Sequence, residues 1–425
     1  MLKTVLGLQF GDEGKGKLTD FFAKDFDYIV RYQGGDNAGH SININGKKMH
    51  CRIMPSGIFS NKKVVIGNGT CININILLQE IEYVNENWTS VNDKLFISEL
   101  ANVIMPYHIA MDVLNESTKD DEHKIGTTKR GIGPCYTDSY ERVGIKVKDL
   151  FNYDQLLDKV TVALIHKNVL FKANNMPEFD PVEVAQEYFQ LGQRIKRYTA
   201  DTILVLNEAY KSGKNILLEG AQGSMLDINF GTYPFVTSSS PMTMMSQGTG
   251  LSCGKFTNVV GIVKAYLTRV GAGPMPTELH DEVAHTIRER GHEYGVVTKR
   301  PRRIGWLDLV QLKYTTMISG CNEIVLTLLD VLTGFEEIKV CTHYEDENGK
   351  AIYNYVQDEV LSAKLKPVYK TLLGWDEDIS KMTSYSEIPE LCKQYVNFIS
   401  DFLEIPVSYV SVGPDREQTI KVERN

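Results

Sequence analysis

The chain has 425 residues, with 46 Lys and Arg against 54 Asp and Glu, for a net charge of −8. That acidic balance argues against a protein that coats nucleic acid or lies on an anionic membrane, since both need a basic surface. Hydrophobic residues at 42% and charged residues at 24% are ordinary for a chain with a buried core.

Short Val- and Ile-rich runs predict strands at 4–8, 28–32, 64–66, 95–97, 216–218, 259–266, 323–328, 338–341 and 407–410. Helical patterns fall at 18–25, 154–169, 181–211, 306–319 and 388–402. The alternation predicts an α/β fold, a large and mostly parallel central sheet flanked by helices. The stretch at about 150–212 is helical, poor in glycine, and reads as a helical insertion. Length alone suggests about three domains, but no hinge, repeat or low-complexity segment divides the chain. No run of about 18 apolar residues offers a membrane span, and the apolar start is too short for a signal peptide. Seven cysteines without a CxxC pair fit a reducing compartment, so the expected location is the cytoplasm.

The most informative segment is LGLQFGDEGKGK at 6–17, where a strand runs into a glycine-rich turn and then a helix. Gly11, Gly14 and Gly16 permit close backbone approach to phosphate, the helix N-terminus adds its dipole, and Lys15 and Lys17 add cations. Residues 11–17 fit GxxxxGK, but Leu18 stands where a P-loop needs a hydroxyl for magnesium. Asp12, inside the turn, is the substitute carboxylate. A plain GTPase switch is disfavoured on the same ground.

QGGDNAGH at 33–40 forms a second polar turn after a strand. Its His40 is either an acid and electrostatic stabiliser or a structural hydrogen-bonder. IGTTKRGIGP at 125–134, followed by Arg142, looks like a second phosphate grip. EGAQG places Gln222 in a glycine turn, and GTYPFVTSSS supplies Thr237 and Ser238; amides and hydroxyls suit a purine edge and a ribose phosphate. VVTKRPRR at 296–303 gathers four cations beside Thr298, as a solvated face or as an ordered loop that meets anions. His280 and His285 lack zinc spacing and are expected on a surface helix. Several anion-suited turns after strands imply a ligand crevice at the carboxyl ends of the sheet.

Taken in order, QFGDEGKGK, QGGDNAGH, MPSG, GNG, GTTKRGIGP, EGAQG, GTYPFVTSS, KAYLTRVGAGPMPTEL, RRIGWLD, LDVLTGF and VGPDR give the chain its resemblance to the adenylosuccinate synthetase family over nearly its whole length. The resemblance implies a single catalytic domain over 1–425 and a ligase that joins IMP to L-aspartate with GTP hydrolysis, through a 6-phosphoryl intermediate. It implies catalytic roles for Asp12, His40 and Lys15, with Mg2+ held by Asp12 and the carbonyl of Gly39. GTP would be met by Gly11, Asp12, Glu13, Gly14, Lys15, Gly16, Lys17, Gly39, His40, Ser41, Arg302, Leu328, Leu329, Asp330, Ser411, Val412 and Gly413. IMP would be met by residues 12–15, Asn37, Ala38, Gly39, His40, Thr128, Gln222, Thr237 and Arg300. Arg142 would reach the neighbouring site of a homodimer. The aspartate loop would be Val296, Val297, Thr298, Lys299, Arg300, Pro301 and Arg302.

Against the family pattern, Leu328 replaces a lysine beside the guanine-reading aspartate, Phe10 a tryptophan and Lys129 a glycine. Asp36 adds a carboxylate near the site, Lys299 and Pro301 alter the aspartate loop, and residues 240–250 depart from the usual small-residue run. These differences keep open a sibling ligase that uses a guanine monophosphate or ATP, and a nucleotide-binding regulator without catalysis.

Overall fold

The N-terminal apolar run forms the strand Leu2–Gly7 near the middle of an 11-stranded sheet. In the computed structural model the described residues are 1–44, 47–120, 124–295 and 300–423, without the side chains of residues 40, 41, 43, 44, 47 and 48. To one side of Leu2–Gly7 lie Val259–Lys264, Glu323–Thr327, Val407–Ser411 and Thr419–Lys421. To the other lie Ile216–Gly223, Tyr28–Gly34, Lys63–Ile72, Leu95–Ser98 and Thr199–Ala200, with Asn102–Val103 beside Lys63–Ile72. Neighbours run parallel except Thr419–Lys421, which returns antiparallel to Val407–Ser411.

The unbroken Val and Ile runs follow from this burial on both faces. Leu6, Val30, Leu218 and Leu326 enter one core with the helices Leu309–Ser319 and Glu390–Leu403. Val5, Ile29, Leu217 and Val325 enter the opposite core with Ile74–Asn87, Tyr153–Ala173 and Pro181–Ile195.

Four predicted elements are drawn differently. The helix expected at 181–211 ends at Ile195, because Thr199–Ala200 pairs with Ile97 and Ser98 at the sheet edge. A new helix, Thr202–Lys211, then starts where the Asp201 carboxylate accepts from Leu204 N. The run at 338–341 belongs to a separate four-stranded sheet, in Glu337–Glu345. The strand expected at 259–266 stops at Lys264, and Leu267–Arg269 turns to pair antiparallel with Arg303–Gly305. The expected helix start at 306 falls instead at Leu309, capped by Asp308 accepting from Gln311 N.

Candidate active site

The loop after Leu2–Gly7 is shaped from below. Gly11, Asp12 and Gly14 take left-handed φ values of 92°, 59° and 88°, and Gly14 opens the helix Lys15–Ala23 without a side-chain cap. The first amides of that helix are therefore directed outward as anion donors. Under the loop, the fully buried Glu13 carboxylate accepts from Gln9 N at 3.1 Å and Gly11 N at 2.8 Å, and it pairs with Lys15. A Cβ on Gly7 would sit 2.2 Å from that carboxylate, so the close approach requires glycine. Glu13 thus braces the loop with its side chain and can offer a ligand only its main chain.

Lys17 also departs from expectation. Its ammonium turns from the glycine loop and donates to Ser411 Oγ at 2.7 Å, Gly413 O at 2.7 Å and Gln418 O at 3.0 Å. It secures the turn between Val407–Ser411 and Thr419–Lys421. Burial pulls its pKa down to about 7, partly offset by Asp330 and Asp415. Ser411 and Val412 are buried, and Leu328, at φ 58°, caps the short turn Leu329–Leu332. Burial pushes the Asp330 carboxyl up, Lys17 opposes this, and its Oδ1 is buried without a hydrogen-bond partner.

Across the crevice, Gln222, at φ 58°, donates to Asn37 Oδ1 at 3.0 Å, and its own Oε1 accepts from Gln33 Nε2 at 3.2 Å. Gln33 was legible only as part of its motif; it is the residue that orients this amide chain. Asp36 is accounted for as well: it pairs with Arg130 at 3.0 Å and ties the second loop to the 125–134 segment. His40 begins the strand His40–Ile44, paired with Lys47–Cys51. The side chains of His40 and Ser41 lie outside the described residues, as do Val296, Val297, Thr298 and Lys299. Arg300 is exposed, and Arg142 is exposed just beyond the helix Ile132–Glu141. His285 is exposed on Glu282–Arg290 as expected, whereas His280 precedes that helix.

These loops enclose a cavity of about 500 Å³ whose lining includes Asp12, Lys15, Asn37, Gly39, Thr128, Gln222, Thr237 and Arg302. Its wall also contains Asp112, which lies outside every motif, and residues 270–272, which belong to KAYLTRVGAGPMPTEL but carried no site assignment. Arg302 reaches Asp12 Oδ2 at 2.7 Å with one nitrogen and Glu293 with the other. Burial alone would lower the Arg302 pKa, but Asp12 and Glu293 outweigh it and raise it. Among the described residues no group of three or more His, Cys, Asp or Glu forms a metal cage. Asp12 and Gly39 line the same cavity, and a carboxylate and a main-chain carbonyl are hard oxygen donors. They fit Mg2+ that takes its other ligands from phosphate and water.

A parallel sheet with a glycine-rich phosphate loop, amide-lined crevice and converging cations defines an α/β enzyme that handles phosphorylated nucleotides. The family model described as adenylosuccinate synthetase matches residues 4–420. The chain is 50% identical over 422 residues to adenylosuccinate synthetase of Malacoplasma penetrans, covering 99% of this chain and 98% of that one. It is 47% identical over 418 residues to that of Bacillus cereus, covering 98% and 97%. The fully ligated synthetase from Plasmodium falciparum superposes with a TM-score of 0.94 at 39% identity, covering 99% of both chains. The cyanophage S-2L succinoaminodeoxyadenylate synthetase, at 17% identity and a TM-score of 0.62 over 99% and 95% of the two chains, shares the fold. The chain belongs to the adenylosuccinate synthetase family, and it is a ligase of de novo purine biosynthesis.

Proposed function

We propose that the chain joins IMP to L-aspartate in two steps driven by GTP. Asp12 removes the N1 proton of IMP, and the 6-oxygen attacks the γ-phosphorus as GDP leaves. The amine of aspartate then attacks carbon 6, the carbon–oxygen bond breaks, and phosphate departs with the former 6-oxygen. Lys15 and His40 stabilise charge on the transferring phosphoryl. The observation that carries the reading is the convergence of Asp12, Lys15, Asn37, Gln222 and Arg302 on one cavity.

The phosphates of GTP are assigned to the amides of residues 11–17 and to residues 39–41. Its base goes to Leu328, Leu329 and Asp330, whose unpartnered Oδ1 is an acceptor for guanine N1–H and the 2-amino group. Arg302 and Ser411, Val412 and Gly413 complete that site. IMP falls to residues 12–15, Asn37, Ala38, Gly39, His40, Thr128, Gln222, Thr237 and Arg300, and L-aspartate to residues 296–302. Mg2+, held by Asp12 and the Gly39 carbonyl, would neutralise charge on the triphosphate. Arg142, exposed and outside the lining of its own cavity, is assigned to the IMP phosphate of a partner in a homodimer. A site drawing on residues 10 to 302 supports one catalytic domain, and seven free cysteines agree with a cytoplasmic setting. Among the described residues no helix is long and apolar enough to cross a membrane.

Purified protein given IMP, GTP, Mg2+ and aspartate should form adenylosuccinate and release one phosphate per product. Replacing IMP by dGMP, or GTP by ATP, should lower the rate at least tenfold. A folded protein that forms no adenylosuccinate overturns the proposal.

A further inference from the structure

Arg302 is aimed by a ring of contacts, buried except at Asp12, that starts and ends in the glycine-rich loop. Gln9 of that loop grips the end of Val259–Lys264 and the residues after it: its Nε2 donates to Lys264 O at 3.3 Å and Tyr266 O at 3.2 Å, and its Oε1 accepts from Lys264 N at 2.9 Å. The side chains of those two residues then meet on one acceptor, Glu293 Oε1, with Lys264 Nζ and the Tyr266 hydroxyl each at 2.7 Å. Glu293 Oε2 accepts from Arg302 Nη1, and Arg302 Nη2 returns to Asp12, three residues beyond Gln9. Glu293 and Lys264 are each 1% exposed, so water does not compete for the bonds at Glu293, and only the Asp12 end of the ring is exposed.

Glu293 also closes the neck of the 296–299 segment. Arg302 N donates to Glu293 O at 2.9 Å, Gly295 N donates to Arg300 O at 2.8 Å, and Tyr294 bridges to Pro301. The buried Glu293 carboxylate therefore fixes the direction of the Arg302 guanidinium, while the main chain of the same anchored residue closes the base of the segment assigned to aspartate. Burial would raise the Glu293 pKa, but Lys264 and Arg302 override it and hold the carboxyl below its ordinary range.

We propose that Glu293 is a positioning residue for the ligase reaction: anchored by Lys264 and Tyr266, it sets Arg302 against the Asp12 side of the cavity and holds the neck of the aspartate loop. The inference rests on the ligand assignments above. Of the polar groups assigned to IMP, Asn37, Thr128, Gln222 and Thr237 stand on other segments, and only Arg300 and Asp12 adjoin the Glu293 contacts. Losing Glu293 should therefore affect the three substrates unequally.

The test is steady-state kinetics of Glu293→Gln and Tyr266→Phe, each checked for fold by circular dichroism. For E293Q, KM for aspartate and for GTP should rise about tenfold and kcat should fall by about ten- to a hundredfold, the scale expected when a reacting group is misplaced. KM for IMP should stay within twofold. Y266F, which removes one hydrogen bond and no charge, should shift the same two constants about threefold. It decides alone if E293Q does not fold. Equal rises in all three KM values, or no change in a folded variant, overturn the proposal. Wild-type protein forming no adenylosuccinate in the same assay would instead overturn the functional reading on which it rests.

Discussion

The glycine-rich loop at 8–17 and the arginine-rich segment at 300–303 look alike in sequence, since both put cations beside small or rigid residues. Their wiring is opposite. In the first, Lys17 reaches the 411–418 turn and Lys15 stays on the cavity wall but is paired with Glu13 beneath the loop, so the loop's backbone amides share the outward-facing donor role with Lys15 alone. In the second, Arg303 is absorbed by Glu278, while Arg302 keeps one nitrogen on the cavity side against Asp12. Cation density marks where anions are handled, but which cation faces the ligand depends on which buried carboxylate claims the others.

The sharpest way to break this comparison is at Asp12, where the two segments meet. Asp12→Asn should fold normally and lose at least a thousandfold in kcat, the range of a lost general base. Activity within tenfold of wild type would remove Asp12 from the chemistry.

Next is the brace under the first loop. Glu13→Gln leaves Lys15 without its buried partner, and breaking such a pair costs about 3–5 kcal/mol. Denaturant titration should show that loss, with the phosphate-loop function falling alongside. A stable E13Q with normal kinetics would mean that the loop holds its shape without Glu13.

Lys17 gives a smaller, pH-dependent effect. Its folded pKa of about 7 lies below the ordinary 10.5. Between those values the unfolded chain carries the proton and the folded chain does not. Its contribution to stability therefore rises with pH across that window and is lost as pH falls through about 7. The protonated form is the stronger donor to Ser411, Gly413 and Gln418, so KM for GTP should rise severalfold above pH 7. Lys17→Met should raise that KM at pH 6 and abolish its pH dependence; an unchanged pH profile in K17M would assign the dependence elsewhere.

The smallest effect lies just beyond the second segment. Burial raises the Asp308 carboxyl to about 6, although hydrogen bonds from Tyr344 and the Gln311 and Val310 amides oppose it. Here the folded state holds the proton more tightly. Stability falls as pH rises from about 4 to about 6, by up to about 3 kcal/mol for a shift of about two units. Asp308→Asn retains an acceptor for the helix cap and should stabilise the protein at pH 7 by about 1–2 kcal/mol. That gain should vanish below pH 4 in thermal denaturation; a loss of stability at pH 7 would contradict it.

What the sequence made legible follows from local physics. Sheet strands buried on both faces write themselves as continuous Val and Ile runs, and the loops after them as glycine with polar residues. The break after Ile195 was hidden because Thr199–Ala200 is a strand only through its pairing with Ile97 and Ser98. The direction of Lys17 was hidden because its acceptors lie almost 400 positions away, as the 394-residue separation from Ser411 shows. Glu293 carried no motif signal, since its partners Lys264 and Tyr266 come from a different strand end. The resemblance placed Asp36 near the site, but only geometry supplied its partner, Arg130.

The most direct test of the proposed chemistry follows one oxygen. IMP labelled with 18O at the 6-position, reacted with unlabelled GTP and aspartate, should yield inorganic phosphate carrying one labelled atom per adenylosuccinate formed. Unlabelled phosphate accompanying normal product formation would show that the 6-oxygen never joins the phosphoryl group, and it would contradict the activation step assigned to Asp12.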